Sequence, residues 1–478
     1  MKPVVGGQYS PLKESEIRKI LEASFTILSE IGVEVYSQLA FKAFQKFGAV
    51  CDASKKLVKL PKSMVEDAID KAPKKIILRG REEKHDIYCE DANVHFGTAG
   101  TVLRIIDLET DEVRQTTLQD VRDVVRLLDA LENIHFIVLP PYPNELPQDE
   151  VDINRFHSAI MNSSKHIAGS VFTLKGTLDI IKMAEMITGS PQALKERPFI
   201  SFLTALVSPL RIDELYGDML YRIAEAGIPV HLSSEPTAGV TAPVTLAGLL
   251  TGLHAEALSG LTLAQIVNPG TPVIYAISGS APDFSTMGFL GGAVENGLIN
   301  AAGSAIAQYL DLPNYTLGGM SDSKVVDVQN GYERAISNLL IGLSGSNIIH
   351  AAAGLTEFAT MISYKQYVID NEILGMIMRA VRGIEVTDET IALDVYREVG
   401  PGGNFLSEPH TVKWMRREHF IPKLSDRKLR EDWEKSGKPT VEKNAVAMAK
   451  QILKEHKPLG LSNGLNNQLK AKFPEIRS

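Results

Sequence analysis

YTLGGMSDSKVVDVQNGYERAISNLLIGLSGSNIIHAAAG, residues 315–354, decides the fold. A short apolar run, YTLGG (315–319), leads through a polar linker into a helical stretch, GYERAISNLLIGLSG, and then into a second apolar run, NIIHAA (347–352). Two strands joined by a helix lie parallel, because only a crossover of this length brings the chain back to start the next strand from the same end. The same unit recurs upstream. Strands are predicted at 93–97 (NVHFG), 134–140 (IHFIVLP), 166–172 (HIAGSVF), 199–206 (FISFLTAL), 229–234 (PVHLSS) and 272–278 (PVIYAIS), with helical stretches such as LQDVRDVVRLLDALE between them. A further helix, SYKQYVIDNEILGMIMRAV, follows the last strand. Eight strand–helix units predict an α/β fold, a (β/α)₈ TIM barrel. An open doubly wound sheet normally brings a glycine fingerprint, and neither G-x-G-x-x-G nor G-x-x-x-x-G-K-[ST] occurs here.

Around this core the chain divides into an N-terminal helical extension (1–92), the barrel (93–384) and a C-terminal extension or tail (385–478). The first extension carries SPLKESEIRKILEASFTILSEIG, with helical apolar spacing and Gly32 as its stop. It then carries LVKLPKSMVEDAIDKAP, a short strand and a helix capped by Ser63 with Glu66 three residues on.

With 478 residues, 44% hydrophobic and 23% charged, the profile is that of a soluble globular protein. The net charge of −8 and the absence of Lys/Arg runs beyond Arg416-Arg417 argue against nucleic acid. Two cysteines, Cys51 and Cys89, form no disulfide framework and no metal-ligand cluster, which suits a reducing cytoplasm. The N-terminus lacks a basic-then-apolar leader, and no uninterrupted apolar stretch approaches ~18 residues, so neither export nor a membrane span is expected.

A barrel puts its active site at the C-terminal ends of the strands. That rule selects Phe96 and Thr98, Tyr142, Phe172, Ser208, Ser233 to Glu235, Ser278, Asp283, Asp322 and His350. His350 ends the eighth strand among Ala and Gly. It reads either as a satisfied core histidine or as a group reaching the mouth. There is no H-E-x-x-H, C-x-x-C pair or G-x-S-x-G, so no metal and no catalytic residue is assigned.

Three stretches, FGTAGTVLRIIDLETDEVRQTTLQDV, PTAGVTAPVTLAG and the run from GGMSDSKVVDVQNGYE through AAAGLTEFATMISYKQYVIDNEI, resemble the trimethylamine:corrinoid methyltransferase superfamily. The resemblance covers nearly the whole chain. It implies methyl transfer from an amine nitrogen to the Co(I) of a corrinoid (cobalamin) on a separate partner protein, with no tightly bound cofactor on this chain. Trimethylamine enzymes of that superfamily carry pyrrolysine, whereas this chain shows twenty ordinary residues only. Members without pyrrolysine resemble methyltransferases for quaternary amines, glycine betaine first.

Chemistry favours the same division. Loss of a methyl from a quaternary nitrogen releases a neutral tertiary amine, so the protein has only to position the methyl and exclude water. A quaternary head cannot donate a hydrogen bond and is held by aromatic faces and carboxylates. Phe96, Tyr142, Phe172, Phe202, Tyr275 and Phe358 are the candidate aromatics and Glu235 the candidate charge. A betaine carboxylate needs donors, for which His350, His231, Thr98 and backbone N–H groups are candidates. None of the eleven histidines sits in an Asp-x-His-x-x-Gly corrinoid loop, so the corrinoid protein is expected to be a separate partner docking over the mouth. A homo-oligomer is also expected. Proline betaine, carnitine and trimethylamine remain alternative substrates. A non-catalytic binding protein, or a barrel lyase or isomerase using Lys324 or Asp322, are the rivals of other classes.

Overall fold

The computed structural model describes residues 3–477. Its centre is a closed barrel of eight parallel strands: β1 (Asn93–Thr98), β2 (Phe136–Val138), β3 (His166–Ser170), β4 (Ile200–Leu206), β5 (Val230–Ser234), β6 (Val273–Ile277), β7 (Asn314–Leu317) and β8 (Ile348–Ala353). They pair in chain order, and β8 returns to pair with β1. The helices that follow them are α1 (Leu118–Ala130), α2 (Gln148–Asn162), α3 (Leu174–Thr188), α4 (Glu214–Ala226), α5 (Leu246–Val267), α6 (Val294–Tyr309), α7 (Val328–Ser344) and α8 (Tyr364–Val381). The eight strands overlap the eight apolar runs, with ends shifted by no more than two residues, and the barrel reading stands.

The N-terminal residues hold the helices Glu14–Thr26, Gln38–Lys46 and Lys62–Lys71, the short strand Leu57–Lys59 expected from LVKLPKSMVEDAIDKAP, and further short strands that the sequence reading did not foresee. Val33–Val35, Val50–Asp52 and Leu57–Lys59 form a sheet completed by Arg211–Ile212 from the loop after β4. The helices of this region pack on α5. α5 is therefore buried on both its inner and outer faces, which explains why it is apolar all round and long enough by composition to cross a membrane. The expected Ser63 cap is not made. The last of these helices starts at Lys62 with Pro61 as its N-cap, so Ser63 lies inside the first turn and Glu66 pairs with Lys62 instead.

A second hairpin, Ile76–Leu78 with Ile87–Cys89, closes the N-terminal end of the bore. Its linker residues Arg79 and Arg81 donate backbone N–H bonds to Pro198 and Ser164, which precede β4 and β3. Ile76, Leu78, Ile87 and Cys89 join Phe136, Ala168, Leu203, Ile274 and Ile348 in one buried cluster inside the barrel. At the C-terminal end of the chain, the helix Val441–Glu455 lies on α8 and α1, and Asn463–Lys472 lies on α3.

Candidate functional site at the barrel mouth

Strand alternation sorts the candidate residues. Phe96 points outward: it stacks on His135 at 6.4 Å, and its ring lies against Gly342 of α7. Phe202 meets Phe156 of α2, and Tyr275 meets His254 of α5 through its hydroxyl at 2.8 Å. Thr98 is fully buried, donating to the Val138 carbonyl (2.7 Å) and accepting from the Val138 N–H (3.0 Å). Its hydroxyl bridges β1 and β2 where their ladder is short. These four residues pack within the barrel wall, which departs from the expectation for Phe96, Phe202 and Tyr275 as cage aromatics and for Thr98 as a donor.

The inward face carries a polar ladder. His166 Nε2 meets Ser201 Oγ at 2.8 Å, and Ser201 Oγ meets His231 Nε2 at 2.9 Å. The His231 ring lies edge-on to Tyr315 at 5.5 Å, and Tyr315 Oη contacts His350 Nδ1. His231 is wholly buried and its Nδ1 has no partner, so it lies beneath the mouth and not in it.

His350 is only 5% exposed, and both ring nitrogens are engaged. Nε2 accepts the Gly100 N–H at 3.3 Å, so the ring proton sits on Nδ1 and is directed at Tyr315 Oη. Burial lowers its pKa to about 3, which keeps the ring neutral. The expected hydrogen bond from His350 to a substrate carboxylate therefore lacks a donor. The small residues around it serve the backbone. The β8–β1 register shifts between Ile349 and Ala353, and Ala351 takes a left-handed φ of 59° within that bulge. Behind the bulge, the buried Arg334–Asp370 pair (2.9 Å) braces the loops after β7 and β8. Asp370 accepts the Gly354 N–H, and Arg334 donates to the Gly319 carbonyl.

Glu235 stands just beyond β5. The β5–β6 pairing runs from His231 opposite Ile274 to Thr237 opposite Ser280, a constant offset that brings Glu235 level with Ser278. Its Oε1 accepts from Ser233 Oγ at 2.8 Å. Glu235 is exposed to solvent, yet burial pushes its carboxyl above the usual range. Both observations hold for a side chain wetted only by the water of a cleft. Tyr315, buried beneath, has its phenol pushed up by burial first and by the Glu235 charge second.

Beyond the ends of β2 and β3, Tyr142 and Phe172 form an edge-to-face corner at 5.3 Å, both half-buried. The fully buried Arg155 lies 5.3 Å from the Phe172 ring and donates to the carbonyls of Leu139, Pro141 and Ser170. The sequence reading missed Arg155 and Tyr315. Tyr315 was legible as the residue of β7 that lies beside β8, whereas Arg155 sits on a helix and carries no strand-end signal. At the rim, Lys324 Nζ lies 4.0 Å from the Phe358 ring and donates to the Asp322 carbonyl. The Asp322 carboxylate accepts the N–H groups of Gly291 (2.7 Å) and Gly292 (3.0 Å), so it clamps two loops together and is not a free base. The loops around the mouth expose Val240, Val244, Phe284, Met287 and Val325.

The trimethylamine methyltransferase (MTTB) family profile matches residues 3–476. The chain is 35% identical over 455 residues to trimethylamine methyltransferase MttB of Desulfitobacterium hafniense (strain DSM 10664 / DCB-2), covering 95% of this chain and 91% of that one. It is 32% identical over 465 residues to glycine betaine methyltransferase of Desulfitobacterium hafniense (strain Y51), covering 97% and 96%. In fold it is similar to the crystal structure of the Methanosarcina barkeri monomethylamine methyltransferase (MtmB), with a TM-score of 0.51, 13% identity and 95% and 96% of the two chains covered. With its profile matched from end to end and relatives that are methyltransferases, the chain belongs to the trimethylamine methyltransferase family of enzymes.

Proposed function

We propose that this protein removes a methyl group from a quaternary amine, glycine betaine first, and passes it in the cytoplasm to the cobalt of a corrinoid on a separate protein, releasing dimethylglycine. The observations that carry this reading are Glu235, a carboxylate just beyond the end of β5, and the Tyr142–Phe172 pair beyond the ends of β2 and β3, the two group types that hold a cation unable to donate hydrogen bonds. The likeness to a glycine betaine methyltransferase along nearly the whole chain supports it, as does a sequence of ordinary residues only.

The methyl acceptor is a substrate, and when bound it supplies the nucleophile. A methyl–cobalt bond forms as the C–N bond breaks, and the electron pair stays on nitrogen as a neutral tertiary amine. No proton moves in that step. The residues therefore have to bind and orient: Glu235 faces the ammonium, the aromatic corner walls it, and Lys324 offers a cation at the rim for the carboxylate. The exposed apolar loops supply the surface over which the corrinoid protein closes and excludes water. Incubation with reduced cobalamin and glycine betaine tests this: methylcobalamin and dimethylglycine should appear in equal amounts. A barrel that leaves both unchanged, with its cognate corrinoid protein present, overturns the reading. Trimethylamine as the methyl donor is the second reading, favoured by the 35% identity to the trimethylamine enzyme.

A further inference from the structure

At the end of the barrel opposite the mouth, a cavity of about 260 Å³ lies between the closing hairpin, the start of β1, the residues just before β2 and the ends of α1 and α8. Ile87, Val94, Ile134 and Met378 give it apolar walls. A cavity of about 150 Å³ already accepts a benzene ring, so a ring with a short substituent fits this one.

Two histidines share the wall, His95 in β1 and His135 just before β2, with their rings edge to face at 5.7 Å. Their tautomers follow from the partners they already have. His95 Nδ1 lies 3.1 Å from the Asn347 carbonyl, which can only accept, so the proton sits on Nδ1 and Nε2 keeps its lone pair. His135 Nδ1 accepts the Phe96 N–H at 2.9 Å, so its proton sits on Nε2. Neither Nε2 has a hydrogen-bond partner among the described residues, although His95 is only 6% exposed. Burial lowers the His95 pKa to about 4 and puts that of His135 well below its ordinary value, so both rings are neutral.

The charged groups of the cavity are spent elsewhere. Lys165 Nζ donates to the carbonyls of Leu128, Leu131 and Ile134. Asp129 accepts from Ser163 Oγ and the Ser164 N–H and meets His456 Nε2, while Asp86 accepts from Arg79 and the Gly80 N–H. Lys84 and Glu132 are exposed and pair with Glu82 and Lys423. Burial lowers the His85 pKa as well, so that ring adds no charge. One acceptor and one donor, on neighbouring neutral rings, are left for a ligand. Water satisfies both nitrogens but wets the apolar walls, whereas an apolar body that carries one group able to donate and accept satisfies all of them.

We propose that this cavity is a second small-molecule site, separate from the mouth, for an uncharged alcohol or amide on a small apolar body. The ligand O–H or N–H donates to His95 Nε2, and its oxygen accepts from His135 Nε2. A carboxylate meets the bare lone pair of His95, and an ammonium meets the N–H of His135, so ions of either sign lose a partner and their hydration together. A quaternary ammonium has no proton to donate, which separates this site from the one proposed at the mouth.

The test titrates the full chain, labelled with ¹³C-histidine, with benzyl alcohol and benzamide, and with benzoate and benzylammonium as charged analogues of the same shape. The ring signals of His95 and His135, identified by their loss in His95→Phe and His135→Phe, should move saturably with both neutral probes at millimolar concentration. The charged pair should bind roughly tenfold more weakly or worse. His135→Phe should weaken benzyl alcohol roughly three- to tenfold, the loss of one neutral hydrogen bond. Signals that ignore both neutral probes, or equal binding of the charged pair, overturn the proposal. Should the variants not fold, a crystal of the wild type soaked in benzyl alcohol decides. The hydroxyl should lie between the two Nε2 atoms, and a probe seen only at the mouth rejects the site. Excess glycine betaine should leave benzyl alcohol bound, and its displacement would show that the cavity is not a separate site.

Discussion

At the N-terminal end of the bore, Ile76, Leu78, Ile87 and Cys89 fill the barrel with apolar side chains. At the C-terminal end the same strands carry Ser233, Glu235 and His350, a left-handed alanine and loops of exposed Val, Phe and Met. The difference separates what the barrel needs to stay closed from what it needs to act. One end is packed with buried apolar side chains. The other holds polar groups whose partners are spent on shaping a cleft and leaves a carboxylate facing it.

Leu78→Ala should break the closed end and spare the open one. It removes a wholly buried side chain from the plug and should cost about 2–5 kcal/mol of stability, read by denaturant unfolding. The KM for substrate at a temperature where the variant is folded should not move. A matching rise in KM would show that the two ends are coupled.

Glu235→Gln works at the other end. Losing a charge-assisted contact worth about 1.5–3 kcal/mol should raise the KM for a quaternary amine roughly ten- to a hundredfold, with stability unchanged or improved. The sign on stability follows from the pKa. Burial raises the Glu235 carboxyl, so the folded state favours its protonated form, and ionisation at higher pH costs stability. The sign on binding is the reverse. A cation requires the carboxylate, so affinity should fall as pH drops through a value above the ordinary 4.5, and Glu235→Gln should lose that dependence.

His350→Ala sharpens the contrast within the mouth. It strips partners from Tyr315 Oη and the Gly100 N–H, at a cost of about 1–3 kcal/mol of stability. Its KM for glycine betaine should stay close to the wild-type value. A large rise in KM with normal melting would restore His350 as the carboxylate ligand. Phe172→Ala should have the smallest effect, about 0.5–2 kcal/mol in substrate affinity, because Tyr142 still walls the corner.

The barrel was legible because strand–helix alternation is a long-range pattern, and eight repeats of it leave one closed solution. The plug was not, because Ile76–Leu78 and Ile87–Cys89 are three-residue strands whose apolar content is too short to stand out from a loop. The rule of strand ends singles out Glu235, Tyr142 and Phe172, the candidates on which the proposed function rests. Facing was not readable. A strand such as NVHFGT is covered on both sides, so hydrophobicity does not alternate along it and nothing local separates Phe96, which points out, from Gly97, whose position meets the Phe136 ring inside. The β8 bulge has the same cause: Ala351 permits a left-handed turn that its neighbours in sequence do not announce.

The central claim is that the mouth demethylates a quaternary amine, and a competition assay tests it most directly. Reduced cobalamin is offered glycine betaine and trimethylamine together, and kcat/KM for each is read from the tertiary or secondary amine released. Glycine betaine should dominate, and Glu235→Gln should abolish most of that preference. Efficient release of dimethylamine from trimethylamine, with glycine betaine untouched, would contradict the account.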